Sequence, residues 1–301
     1  MKVLVAGASG MLGIPLTRAL LAEGHEVIAL RHTRRSSVAG VTSVNADALD
    51  RESLLRAVDG IAADAVIHEL TALTKPPLRH SGMAMTNRLR IEGTANLLAA
   101  ADLVGAKRFI TQSIILGYGY RDHGDSLISE DDPFGVPQGD KTDPHVAAMQ
   151  STEQQAFTAP HGVALRYGML YGGDLSIIGP LLSKRRVPVV TGGLLGWVHH
   201  EDAAAATVAA LDNGRASQAY NIVDDRPASM SEVYTALADA IGAPPPLHIP
   251  AWMLRTFAPL LASIAVDSSM RVSNEKAKTE LGWTPRFPIY RDAMAAIRAA
   301  R

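Results

Sequence analysis

Cysteine is absent from the 301 residues, which excludes disulfides, thiolate nucleophiles and cysteine-held metals. Net charge is nearly absent too. With 29 basic and 30 acidic residues the formal charge is −1, so nothing suggests a nucleic-acid surface or a membrane-steering field. Long apolar runs are also missing. The N-terminal run is too short for a signal peptide and passes straight into a glycine loop. The most apolar later stretch, 256–266, contains Pro259 and is far too short to span a bilayer. No His/Asp/Glu set shows metal-ligand spacing, so no metal is expected. These absences lead us to expect a cytoplasmic globular protein whose partner is a small molecule, with no nucleic acid and no membrane.

Glycine carries the strongest positive signal. Residues 3–6 form a short apolar run that breaks at Gly7, with Gly10 and Gly13 following. A helical pattern starts directly afterwards, with Leu12, Leu16 and Leu20 on one face and Pro15 in the first turns, where a missing N–H costs little. Glycine lets the backbone turn and come close to a pyrophosphate, and the helix start offers unpaired N–H groups to it. The strand–loop–helix context turns this spacing into a dinucleotide-binding signal.

Further strands are expected at 26–30, 41–44, 64–68, 108–111 and 163–166. They alternate with helices, among them 83–105 and 144–158. This order specifies an α/β fold: a doubly wound parallel sheet (Rossmann) with right-handed crossovers and the ligand outside the carboxyl ends of the strands. After Gly173 the alternation loosens, with Gly- and Pro-rich loops at 191–196 and 243–246 and helices at 203–211 and 230–241. We expect a dinucleotide-binding domain over 1–173 and a smaller C-terminal substrate lobe over 174–301, some of whose segments return to the first domain.

In such folds the second strand ends beside the adenosine ribose, where a carboxylate selects NAD and an arginine accommodates the 2′-phosphate of NADP. Here the strand runs into Arg31, His32, Thr33, Arg34 and Arg35, with no acid. A guanidinium holds a phosphate bidentately, so Arg31 and Arg34 point to NADP(H). Asp47, after the third strand, is placed either to reach the adenine amino group or to cap the next helix.

Several segments resemble the extended short-chain dehydrogenase/reductase family, which includes epimerases, dehydratases and carbonyl reductases. They are the loop 7–13; Val66-Ile67-His68 with Leu70-Thr71; Glu92-Gly93-Thr94-Ala95-Asn96-Leu97-Leu98; Leu165-Arg166-Tyr167-Gly168 with Tyr171-Gly172; Trp197-Val198-His199-His200-Glu201-Asp202-Ala203; and Glu280-Leu281-Gly282-Trp283-Thr284-Pro285. They follow family order over nearly the whole chain. The resemblance implies a cofactor site built from Gly7, Ser9, Gly10, Met11, Leu12, Gly13, Arg31, Arg34, Asp47, Ala48, Leu70, Thr71, Thr111 and Tyr167, with the substrate between the lobes. It also implies a possible homodimer through the helices holding Arg90 and His145.

The family's usual chemistry uses Ser, Tyr and Lys, with an Asn on the long central helix: Tyr passes the proton, Lys lowers its pKa and Ser fixes the substrate oxygen. The serine is Ser113. At the Tyr and Lys positions stand His145 and Met149, and the Asn position falls at Arg90. Met149 carries no charge, whereas His145 exchanges a proton near neutral pH. Either that residue fills part of the Tyr role or it is a helix-start histidine with no role. Tyr118 and Tyr120, after Ser113, either aim a phenol at the nicotinamide from the other side or pack against the second lobe. Arg90 fills the missing Asn's space, pairs with an acid, or lies on the helix surface. The candidate catalytic residues are therefore Ser113, Tyr118 and His145. No Gly-x-Ser-x-Gly elbow surrounds Ser113, which disfavours a hydrolase triad.

Two functions follow. One is an NADP(H)-dependent reductase of the atypical extended type, acting on a small carbonyl or alcohol metabolite. The other keeps fold and cofactor without redox chemistry, as an isomerase, a cyclase or an NADP-sensing binding protein; the replaced Tyr–Lys pair favours it. The expected pocket lining (175–182, 194–197, 252–261) is mostly apolar, which points to a fairly apolar substrate. Lys184, Arg185 and Arg186 would instead suit a nucleotide-sugar diphosphate. The acidic loop Glu130-Asp131-Asp132 is expected either to border the cleft or to be a solvated turn.

Overall fold

The computed structural model describes residues 1–32, 40–173 and 175–299; Arg34 lies outside the described residues. The first half alternates as β1 (Lys2–Ala6), α1 (Gly13–Ala22), β2 (Glu26–Arg31), β3 (Thr42–Asn45), α2 (Arg51–Val58), β4 (Ala65–His68), α3 (Ala84–Arg88), α4 (Thr94–Leu103), β5 (Arg108–Ile114), β6 (Asp122–Ile128), α5 (Asp143–Ala156) and β7 (His161–Tyr167). Then come β8 (Met169–Tyr171), α6 (Leu175–Ser183), β9 (Leu194–Leu195), β10 (Trp197–His199), α7 (His200–Asn213) and β11 (Gln218–Ile222). The chain closes with β12 (Ala228–Ser229), α8 (Met230–Ala240), α9 (Ala251–Phe257), α10 (Pro259–Ala262), β13 (Ser269–Val272), α11 (Glu275–Leu281) and α12 (Tyr290–Ala299).

Seven parallel strands form the central sheet in the order β11-β7-β5-β4-β1-β2-β3. Its doubly wound Rossmann character is written in β1. Side chains alternate across a strand, and both faces here are buried. Val3 and Val5 pack with Leu16 and Leu20 of α1 and Leu211 of α7. Leu4 and Ala6 pack on the other face with Leu54 of α2 and Leu97 of α4. Burial on both sides explains why the parallel strands read as continuous apolar runs.

The order of strands reverses beside β1, so the loop after β1 opens at the switch point where ligands bind. After Gly173, α7, β11 and α11 serve the first lobe: β11 pairs with β7, and α7 and α11 share the core of α1. Among the remaining later segments, α6, α8 and α12 form a separate apolar cluster around Tyr171, Trp197 and Leu237.

Besides the short strands β8, β9, β10 and β12, which were not expected, two features depart from the sequence reading. The helix expected over 83–105 is broken by a π turn at Leu89–Gly93, between α3 and α4. Strands β6 and β13, paired in parallel, were not anticipated, because β6 (Asp122–Ile128) is largely exposed and polar, with no apolar alternation.

Candidate functional site

The glycine loop has the shape a pyrophosphate requires. Gly7 lies at φ +99°, and a Cβ there would sit 2.6 Å from the Glu69 carbonyl oxygen. A Cβ on Gly13 would strike the Gly7 carbonyl, so the start of α1 packs directly on the loop. No side chain caps α1, which leaves its N-terminal N–H groups for an anion. Ser9, Gly10 and Met11 are exposed above it, whereas Leu12 turns into the core. These residues fit a dinucleotide.

The residues expected at the adenosine end lie beyond β2. Arg31 Nη1 donates to Ser43 Oγ at 3.2 Å, which holds the guanidinium at the strand end. Asp47 accepts from the Leu49 amide at 2.9 Å, and the cap of α2 is Asp50, which accepts from Ser53 N at 3.0 Å. Asp47 is therefore not the helix cap. The Ala48 carbonyl accepts from Asn96 Nδ2 at 2.8 Å, tying this loop to α4.

Other expected cofactor residues turn inward. Thr111 is fully buried and its hydroxyl bonds Thr152 at 2.9 Å, with Thr94 bonded to Thr152 at 2.8 Å, a ladder joining β5 to α4 and α5. The Tyr167 hydroxyl donates to Glu69 at 2.9 Å and meets Thr207 at 2.7 Å. Its phenol therefore lies in the core beneath the loop, not in the cleft. Burial pushes the Glu69 carboxyl up to about 8. Leu70 accepts from Gln112 at 2.5 Å through its carbonyl, and Thr71 meets Thr86 at 3.3 Å.

The candidate catalytic residues separate into two networks. Tyr118 belongs to a structural one. Its hydroxyl donates to Asn221 at 2.8 Å and accepts from Arg166 Nη1 at 2.8 Å. Arg166 in turn grips Glu153 with Nε and Nη2, at 3.0 and 2.8 Å, and lies over the Phe134 ring at 3.8 Å. With its proton given to Asn221 and its oxygen held by Arg166, this phenol is built into the scaffold and is not free to serve as the proton donor the sequence suggested. Glu130 belongs to the same scaffold, accepting from the Asn221 amide at 2.6 Å, whereas Asp131 and Asp132 are exposed in a turn, as the solvated-turn alternative has it.

The second network surrounds His145. This residue is 3% exposed, which rules out an idle surface histidine. Asn87 Nδ2 donates to its Nδ1 at 3.0 Å, so the proton sits on Nε2, which meets His80 Nδ1 at 3.2 Å. Burial lowers its pKa to about 4, with His80 and Arg90 adding to the effect. The imidazole is thus neutral at physiological pH.

Tyr120 packs edge-on against the same ring, 6.3 Å between centroids. Met149 is 1% exposed in the apolar cluster that also holds Tyr120, Ile115 and Val146. Ser113 is 2% exposed, and its Oγ has no hydrogen-bond partner. Arg90 is likewise buried, not on the helix surface and not paired with an acid; its Nε and Nη1 lack acceptors.

His80 and Asn87 escaped the sequence reading. His80 sits in a short 3₁₀ turn without periodicity, and Asn87 lies one turn before Arg90, a spacing that became informative only with the helix in place. His199 and His200 hold local backbone: His199 accepts from Glu201 N at 3.2 Å and His200 bonds the Tyr171 carbonyl at 2.5 Å. Among the described residues no cluster of three or more His, Cys, Asp or Glu is placed to hold a metal. No described helix is long and apolar enough to cross a membrane.

Comparison with known proteins agrees with this geometry. The model of the NAD dependent epimerase/dehydratase family matches residues 3–223. A 3-diazoavenalumate denitrifying reductase of a Streptomyces species is 36% identical, covering 98% of this chain and 99% of its own. A 2-alkyl-3-oxoalkanoate reductase of Stenotrophomonas maltophilia is 28% identical, over 81% of this chain and 77% of its own. Among solved structures, a human epimerase family protein crystallised with NADPH superposes with TM-score 0.78 over 100% of both chains, at 19% identity. A dTDP-glucose 4,6-dehydratase of Streptomyces venezuelae with NAD bound gives 0.79 at 21% identity, covering 99% of this chain and 96% of its own. Those two likenesses are of fold. The family match spans well over half of the sequence and carries a nicotinamide dinucleotide with it: the chain belongs to the NAD-dependent epimerase/dehydratase family.

Proposed function

We propose that this protein is an NADPH-dependent reductase that delivers hydride to a small acceptor needing no Tyr–Lys acid pair, with a diazo-bearing arene as the acceptor class. One observation carries the reading. The turn of α5 where the family resemblance puts that pair holds His145, neutral by burial, and Met149, sealed in an apolar cluster.

Reduction of a ketone creates an alkoxide that must be protonated. Replacement of a diazonium group by hydrogen is balanced by hydride alone. The C–N bond breaks, dinitrogen leaves with its electron pair, and the hydride pair forms the new C–H bond. A site without the acid pair suits the second reaction, and the full-length relative named as a denitrifying reductase supports it.

The dinucleotide, when bound, supplies the hydride. The chain's own groups hold and orient: the loop from Gly7 to Gly13 and the start of α1 take the pyrophosphate. Arg31 takes the 2′-phosphate, Asp47 and Ala48 flank the adenine, and Ser113 fixes a polar atom of the acceptor. The apolar cluster around Met149, Ile115 and Leu116 favours an apolar acceptor body. A second reading, carbonyl reduction, is favoured by Tyr120, a phenol that lies within range of the Arg90 charge.

The test is purified protein with NADPH or NADH, presented with a diazophenol and with aryl ketones, following cofactor oxidation and dinitrogen release. The expected result is one dinitrogen per NADPH oxidised, with NADH at least ~10-fold less efficient. Oxidation by ketones alone establishes the carbonyl reading. Tight NADPH binding without oxidation by either class overturns both and leaves a non-redox protein.

A further inference from the structure

Arg90 is a buried positive charge with no acid beside it among the described residues. The contrast is Arg166, buried to the same 6% exposure, whose guanidinium is satisfied by Glu153, Tyr118 and the Phe134 ring. Arg90 has no such partner: its Nε and Nη1 meet no acceptor. An unpaired buried cation is among the most costly features a fold can carry, because desolvation is uncompensated. A ligand that brings a negative charge to such a group relieves that cost.

The surroundings add no negative charge. Tyr120, His145 and His68 lie within electrostatic range of the guanidinium. Burial keeps both imidazoles uncharged and the phenol protonated. The acid that Tyr120 and His145 sense is Asp140, which is exposed and already bonded to the amide and hydroxyl of Thr142 at 2.6 Å.

The backbone also sets Arg90 apart. It sits in the π turn Leu89–Gly93, and faces inward while Ile91 and Glu92 stay exposed. Such single-turn widenings recur where a helix presents a working side chain. The charge is not needed for the cofactor's pyrophosphate, whose cradle lies at the start of α1. That helix packs with α7, on the other side of the sheet from α4.

We infer that Arg90 is the anion-binding residue of the substrate site and that the acceptor carries a carboxylate, which the buried guanidinium holds. One uncompensated positive charge matches a monoanion, whereas a phosphate near two negative charges would require a second cation. For turnover the inference rests on the reductase reading; for binding it stands independently of it.

The experiment uses cinnamate and cinnamamide, which differ only in charge at one end, titrated calorimetrically into the NADP⁺-loaded protein. Wild type is expected to bind the acid at least ~10-fold tighter than the amide. Arg90→Gln abolishes that preference, and Arg90→Lys keeps part of it. NADPH affinity stays within about two-fold in both variants, which reports an intact fold. In the ligand-free protein Arg90→Met raises Tm, because an unpaired charge is removed, and cinnamate then no longer raises it further.

Equal binding of acid and amide by wild type, or an undiminished preference in Arg90→Gln, overturns the inference. A drop in ligand-free Tm on Arg90→Met assigns the residue to the scaffold and overturns it as well. Carboxylate binding without NADPH oxidation by any acceptor leaves the inference standing and removes the reductase reading. Equal turnover of a diazoarene carboxylate and its methyl ester does the reverse.

Discussion

The His145 imidazole lies parallel to that of His80, with ring centroids 5.4 Å apart and planes inclined by 6°. Two rings so placed do not take up a second proton readily, since like charges would then lie across a 3.2 Å contact. With Asn87 donating to Nδ1, one tautomer is fixed. His145 therefore works as a fixed dipole rather than as a titrating acid. Nitrogen-15 spectra are expected to show it as the neutral Nε2–H form down to pH 5, its pKa being about 4. A titration near 6.5 would contradict this. Asn87→Leu should raise the mobility of the ring and lower turnover.

Ser113 and Tyr118 make opposite predictions. The Ser113 hydroxyl is buried without a partner, so Ser113→Ala is expected to leave Tm unchanged or higher while reducing kcat/KM by ~10-fold or more. Tyr118→Phe removes a hydroxyl shared by Arg166 and Asn221. It should cost about 1–3 kcal/mol of stability with little change in kcat. Denaturant unfolding beside steady-state kinetics distinguishes the two.

Glu153→Gln strikes the same scaffold harder. The Arg166–Glu153 pair is nearly fully buried, its side chains 7% and 4% exposed, and removing one charge strands the other. A loss of about 3–5 kcal/mol is expected, measured by urea unfolding.

Stability should also depend on pH with a definite sign. The folded Glu69 pKa is raised, from 4.5 to about 8. Its contribution is therefore full below 4.5 and is lost as pH rises through 8. Asp224, raised to about 8 by burial, acts the same way. His68 and His145, lowered from 6.5 to about 4, act oppositely, destabilising the fold as pH falls below 6.5. Tm is expected to decline between pH 6.5 and 8, and Glu69→Gln to flatten that decline. An unchanged slope in the variant would show that Glu69 does not titrate in this range.

Arg31→Ala should weaken NADPH binding by about 10-fold or more while leaving NADH nearly unaffected, read by fluorescence titration. Equal losses for both cofactors would place Arg31 away from the 2′-phosphate.

The sheet was legible because both faces of its strands are buried, so Val3 to Ala6 and Ala65 to Ile67 read as unbroken apolar runs. The glycine loop was legible because Gly7 and Gly13 answer to main-chain crowding, which admits one residue type. What distinguishes Tyr118 from Tyr120 was not legible. Both are aromatic, two residues apart and buried, and only the position of Arg166, 48 residues beyond Tyr118, decides between them. His80 was hidden for the same reason: its partner His145 lies 65 residues away, and no local pattern encodes such a meeting.

The π turn before α4 has one more consequence. A helix advances about 100° per residue, so the extra residue taken up at Leu89–Gly93 sets the angular phase between everything before and after it. Arg90 faces inward beside His145 and Tyr120, whereas Asn96, further along, reaches the Ala48 carbonyl in the loop after β3. Deleting one residue from this turn would keep the helix but rotate one end against the other. The helix thus acts as a gauge block, holding the two ends of the cleft in a single register.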